Sequence, residues 1–114
     1  MKKILLILAL ALPACAPQGT DLTCANLAPD GTTSSCMDFV VGYTDDDVYA
    51  ICSDPHGGAG RISRDPCPRE GLIGICTIPS DDGGTFRQHY YPPFTLSQAV
   101  ELCGFNGTSF EIAR

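Results

Sequence analysis

Two stretches set the reading of the fold: Y-T-D-D-D-V-Y-A-I-C from Tyr43 to Cys52, and F-T-L-S-Q-A-V-E-L-C from Phe94 to Cys103. Each runs aromatic, threonine, then a cysteine eight residues after the threonine. Thr44 and Thr95 suit helix N-caps, because a hydroxyl oxygen accepts a backbone N–H that the first turn leaves without a partner. Three residues on, Asp47 and Gln98 stand where a capping box places its second member. Tyr43 and Phe94 precede the caps, and Val48 and Ala99 occupy the fourth helical position, the layout of a hydrophobic staple. Val48, Ile51 and Cys52, like Leu96, Ala99, Val100 and Cys103, recur at helical spacing. The sequence predicts two short helices with the same start and the same cysteine end.

The surroundings of the two helices also repeat. A glycine-bearing turn follows each cysteine, at Gly57-Gly58 and at Asn106-Gly107. Extended segments come next, near Arg61 to Ser63 and near Thr108 to Ile112. Met37 to Tyr43, ahead of the first helix, is rich in β-formers. Ahead of the second, Leu72 to Ile78 and Phe86 to Tyr91 read as a hairpin across P-S-D-D-G-G. Asn26 to Ser35 is turn-rich and lacks periodicity. The expected fold class is α+β: a small disulfide-stapled domain of two weakly duplicated strand-helix-strand units, each with one short helix. Coincidence between two capped helices is the alternative to duplication. With only two copies, the chain is not a solenoid.

The N-terminus carries a different signal. Lys2 and Lys3 precede an uncharged apolar run from Ile4 to Leu12. That run is far short of the roughly 20 apolar residues needed to span a bilayer, and it has the layout of a secretory signal peptide. It ends in Leu12-Pro13-Ala14-Cys15, which resembles the lipobox of bacterial lipoproteins, with Pro13 departing from the commonest small residues. The resemblance implies a diacylglyceryl group on the Cys15 sulfur, cleavage between Ala14 and Cys15, and acylation (palmitate or a similar chain) of the new amine. Two or three acyl chains anchor firmly where one binds only marginally. Ala16 follows the cysteine where Asp is associated with inner-membrane retention, so the resemblance favours the outer membrane. The expected division is a signal peptide over 1–14, a lipidated cysteine and flexible tether over 15–23, and one domain over 24–114.

The chain has seven cysteines, an odd number. Assigning Cys15 to lipid leaves Cys24, Cys36, Cys52, Cys67, Cys76 and Cys103, an even set that reads as three disulfides in a short exported chain. Pairing like with like across the duplication gives Cys36–Cys52 and Cys76–Cys103, leaving Cys24–Cys67, one of the fifteen connectivities that six cysteines allow. Each bridge contributes about 2–4 kcal/mol, which matters for a core of this size. A thiolate zinc site is disfavoured because no C-x-x-C pair occurs.

Cleavage removes both lysines, leaving five arginines against thirteen acids, a net charge of −8. Such a chain repels phosphate backbones and anionic lipid, so neither nucleic acid nor direct electrostatic membrane binding is expected.

No G-x-S-x-G elbow, phosphate loop or dinucleotide fingerprint occurs, and oxidised cysteines are not nucleophiles. No enzyme, cofactor or metal is therefore expected. His56, beside Asp54 in a D-P-H-G-G turn, reads as a loop residue, and His89 as a strand-surface residue. Asp45, Asp46 and Asp47 lie in a first helical turn, where the dipole favours negative charge. Calcium binding through these acids is the weaker reading. Asp81-Asp82-Gly83-Gly84 reads as a turn.

C-P-R-E-G-L-I-G-I-C from Cys67, the pair Tyr90-Tyr91 and C-G-F-N-G-T-S-F from Cys103 resemble small cysteine-containing bacterial lipoproteins with no assigned activity. Those proteins show valine where Ile73 stands and close on G-G-T-F, from which Asn106 to Phe110 departs. The resemblance covers about the last half of the chain and implies a fold rather than an activity.

The leading expectation is an envelope lipoprotein with a non-enzymatic binding or structural role, whose partner besides the membrane is unknown. Tyr90, Tyr91 and Phe94 are the candidate contact patch, against the reading that they cover the core beneath the second helix. The alternative is a small envelope enzyme or an enzyme inhibitor presenting the loop from Pro79 to Gly84.

Overall fold

The computed structural model describes residues 19–53, 60–104 and 107–114. The elements are β1 (Thr23–Leu27), β2 (Thr33–Val41), α1 (Asp45–Cys52), β3 (Arg61–Ser63), β4 (Gly74–Pro79), β5 (Thr85–Tyr90), α2 (Leu96–Leu102) and β6 (Ser109–Ile112). The six strands form one antiparallel sheet in the order β3-β1-β2-β5-β4-β6. The α+β class and the two short helices agree with expectation.

Each half of the chain is a hairpin, a helix and a third strand. In each, the third strand pairs with the outer side of the first, and the halves join through their second strands, β2 against β5. One row of paired residues crosses the whole sheet: Ile62, Cys24, Met37, Gln88, Cys76 and Phe110. The row reads the same from either end, with a large apolar residue on the edge strand, a cysteine, then a long side chain at the centre. Because the pairing at the centre is antiparallel, the halves are related by a local two-fold axis between Met37 and Gln88. The repeat is therefore larger than the expected strand-helix-strand unit. The first strand of the first half was hidden in the sequence, because β1 is followed by the turn-rich stretch from Ala28 to Thr32.

The helices begin as expected. The Thr44 hydroxyl accepts from the Asp47 N–H at 3.2 Å, and the Asp47 carboxylate accepts from the Thr44 N–H at 2.9 Å. In α2 the Thr95 hydroxyl accepts from the Gln98 N–H at 3.1 Å, and the Gln98 side-chain oxygen accepts from the Thr95 N–H at 2.9 Å. Helices of this length are unstable in isolation, so caps and tertiary packing hold them. The buried stripe is narrower than expected. Val48 and Cys52 are buried on α1 and Ala99 on α2, with Cys103 buried at its C-cap. Ile51, Leu96 and Val100 remain exposed.

Strand alternation assigns the faces. One core cluster joins Leu22, Phe39, Tyr43 and Val48, and its counterpart joins Cys76, Tyr90, Ala99 and Cys103. The aromatic geometry repeats: the Phe39 and Tyr43 rings meet edge-on at 5.0 Å, and the Tyr90 and Phe94 rings at 5.3 Å. A third cluster, Cys36, Cys67 and Tyr91, lies on the opposite face under the segment that links the halves. The segment ahead of Cys24 packs on the domain: Leu22 is buried in the first cluster and the Thr20 hydroxyl donates to Asp45.

The disulfides are Cys24–Cys52, Cys36–Cys67 and Cys76–Cys103. The Cys76–Cys103 pairing agrees with expectation, whereas Cys36–Cys52 and Cys24–Cys67 are corrected. Alternation supplies the reason. Met37 and Phe39 face the helices, so Cys36 between them and Thr33 points to the other side and cannot reach the end of α1. Cys24, on the neighbouring strand opposite Met37, can. The two helix-end bridges are equivalent under the two-fold axis, and Cys36–Cys67 ties down the linker.

Candidate functional site

Of the residues singled out in the sequence, Cys15, Asp54 and His56 lie outside the described residues. The aromatic trio does not form a contact patch. Tyr90 is 7% and Tyr91 3% exposed, and Phe94 is partly buried against Tyr90. The two tyrosines also belong to different clusters, on opposite faces of the sheet. Tyr91 anchors the linker: its hydroxyl donates to the Pro68 carbonyl at 2.7 Å. Burial pushes the Tyr91 pKa up to about 12, so it remains a donor at any physiological pH.

His89 is not on the surface. It is 7% exposed, with Nδ1 3.2 Å from the Cys36 carbonyl. Burial pushes its pKa down, and the Asp38 charge opposes this.

The acidic helix start is divided among separate tasks. Asp47 closes the capping box, while Asp45 accepts from Thr20 and, at 3.3 Å, from Arg64. These hydrogen bonds, Thr20 foremost, hold the Asp45 carboxyl below the usual carboxylate range. Asp81 to Gly84 forms the β4–β5 turn, where the Ser80 N–H donates to the Gly84 carbonyl at 2.7 Å. Gly84 packs on the Tyr43 ring, so the loop from Pro79 to Gly84 is seated against the domain at one end.

A small hollow lies between α1 and the β4–β5 turn, lined by Tyr43, Asp47, Ile51 and Asp82, and larger ones lie on the sheet face opposite the helices. At their centre is a two-point ion pair: Arg87 donates from Nε at 3.0 Å and from Nη2 at 2.8 Å to the two oxygens of Asp38. Forked pairing of this kind fixes the guanidinium plane. A hollow of about 270 Å³ on one side is lined by Thr20, Asp21, Thr23, Asp38, Arg64 and Arg87. Its charges are mutually paired, for Arg64 bonds both Asp21 and Asp45. A second cavity, of about 440 Å³, has Arg87, Arg69 and Arg114 around it, with Glu111, Leu72 and Ile75. A third hollow, of about 560 Å³, runs between the β1–β2 turn and the linker past Tyr91, Pro68 and Pro92.

Sequence reasoning missed this face. Its one available signal was alternation in β2 and β5: Asp38 and Arg87 each stand beside apolar residues, Met37 and Phe39 in one strand and Phe86 in the other. The cavity walls come from distant segments that no local pattern joins.

No protein family, no curated protein and no solved structure matches this chain.

Proposed function

We propose that this chain is an exported bacterial lipoprotein, held at a membrane by lipid on Cys15, whose disulfide-stapled domain binds a partner and carries out no chemistry of its own. The observation that carries the reading is the cysteine arithmetic. All six cysteines after Cys15 pair with one another, which leaves the lipobox cysteine as the unmatched seventh. Three disulfides fit a domain outside the cytoplasm. Among the described residues, no helix is long and apolar enough to cross a membrane. Ala16 after the lipidated cysteine favours the outer membrane in a host that sorts by that position.

Binding is favoured over catalysis by the character of the free sheet face. Its cavities are lined by arginines and acids, of which Asp21 and Asp38 are ion-paired, rather than by a nucleophile set against a base. An inhibitor presenting the Pro79 to Gly84 turn is the less supported alternative, because that turn packs back on Tyr43.

The test is detergent phase separation of the chain expressed in a bacterium, alongside Cys15→Ser. The reading expects the parent chain in the detergent phase and the variant in the aqueous phase. Equal partitioning of the two would contradict the lipid anchor.

A further inference from the structure

The halves of the sheet are equivalent except on the face opposite the helices. The relation that brings Met37 onto Gln88 brings Cys36 onto Arg87. In the first half, the Cys36 position is covered by the linker, bridged through Cys67 and roofed by Tyr91. In the second half, the corresponding position is Arg87, and above it lies the 440 Å³ cavity rather than a covering segment. The same linker supplies one wall of that cavity, through Arg69 and Leu72.

The charge of this cavity runs against that of the chain. Only five arginines follow Cys15, against thirteen acids in the sequence, yet three of the five line it: Arg69, Arg87 and Arg114. Arg87 is committed at one edge to Asp38. Among the described residues, the side chains of Arg69 and Arg114 have no ion-pair or hydrogen-bond partner. Arg69, Arg87 and Arg114 line one partly enclosed space, and like charges brought close together repel unless an anion offsets them. Glu111 is the one acidic side chain in the lining, and it disfavours a ligand carrying two negative charges. Leu72 and Ile75 add an apolar wall.

We infer that this cavity is a binding site for a small organic monoanion, a carboxylate on an apolar body. Arg69 and Arg114 hold the carboxylate with Arg87 behind them, and the body lies against Leu72 and Ile75. This deepens the reading of the domain as a binding module by naming its ligand class. It is independent of the lipid anchor.

The experiment titrates the full chain, expressed with its disulfides formed and purified from whichever cell fraction holds it, with three probes followed by calorimetry. The probes are N-acetyl-leucine, its uncharged analogue N-acetyl-leucinamide, and inorganic phosphate. The expected result is saturable binding of the acid, at least about tenfold tighter than the amide or phosphate, from charge-assisted hydrogen bonds. Arg69→Gln is expected to weaken it about tenfold. Arg61→Gln, which removes the same charge from the far edge strand, is expected to leave it unchanged. Both side chains are exposed, and coincident thermal melts check that the variants fold. Absence of saturable binding, equal affinity for acid and amide, tighter binding of phosphate, or equal effects of the two substitutions would each overturn the assignment. Failure of the lipid reading would appear only as the fraction from which the chain is purified.

Discussion

Met37 stands opposite Gln88 at the middle of the β2–β5 pair, and the two halves of the domain repeat about that contact. The repetition extends to details that a shared topology does not require. Cys24 and Cys76 flank the central pair on the same face and bridge to the ends of equivalent helices. Phe39 and Tyr90 each meet the aromatic residue four positions on, edge to face.

Equivalent caps should have equivalent worth. Thr44→Ala and Thr95→Ala each remove the hydroxyl that accepts the third N–H of a helix, and each is expected to destabilise the oxidised domain by about 1 kcal/mol. The sites share no partner, so the double variant should lose close to the sum. Urea denaturation measures all three. A loss confined to one helix would mean that the other is held by its disulfide alone.

The bridges close loops with sequence separations of 28, 31 and 27 residues. Chain entropy assigns each about 3–4 kcal/mol. Cys24→Ala with Cys52→Ala, and separately Cys36→Ala with Cys67→Ala, should therefore lower stability by comparable amounts. Peptide mapping without reduction should recover fragments linked 24–52, 36–67 and 76–103. A 36–52 linked fragment would contradict the face assignment of β2.

Gly42 has φ of +87°, and a Cβ there would lie 2.6 Å from the Gly84 Cα. Gly31 has φ of +88°, with nothing within 4 Å of the added atom. Gly31→Ala should cost about 1 kcal/mol through backbone conformation alone. Gly42→Ala adds a backbone clash and should lose about 2–4 kcal/mol. Thermal melts of the two variants separate strain from crowding.

Acid should weaken the domain through His89. Burial, partly opposed by Asp38, holds its folded pKa below the ordinary 6.5. Below pH 6.5 the unfolded chain then binds more protons than the folded one, so this contribution is complete above that pH and is lost as pH falls toward the folded value. His89→Gln should flatten the stability profile just below pH 6.5, as read from urea midpoints. An unchanged slope would mean that His89 is protonated without penalty in the folded state.

The helices, their caps, the staple residues and the hairpin were legible because their signals are local: a threonine, a partner three residues on, a turn between apolar runs. β1 was not, since its five residues carry no strong alternation and lead into a turn-rich stretch. Without β1 the helix-end bridge had only β2 to pair with, which is why Cys36 stood in for Cys24. The free sheet face was illegible for another reason. Arg69, Arg87 and Arg114 line one cavity because the linker, bridged to Cys36 through Cys67, crosses the sheet, and no spacing in the chain records that crossing. His89 reads as a strand-surface residue, and the two readings of Tyr91 stay open in the sequence, because the linker that packs on Tyr91 is irregular.

The most direct test of the account is the intact mass of the chain recovered from bacterial membranes, taken before and after reduction and alkylation. The account predicts loss of residues 1–14, a lipid adduct on Cys15, and six cysteines that alkylate only after reduction. A product cleaved without lipid, or thiols that react before reduction, would contradict it.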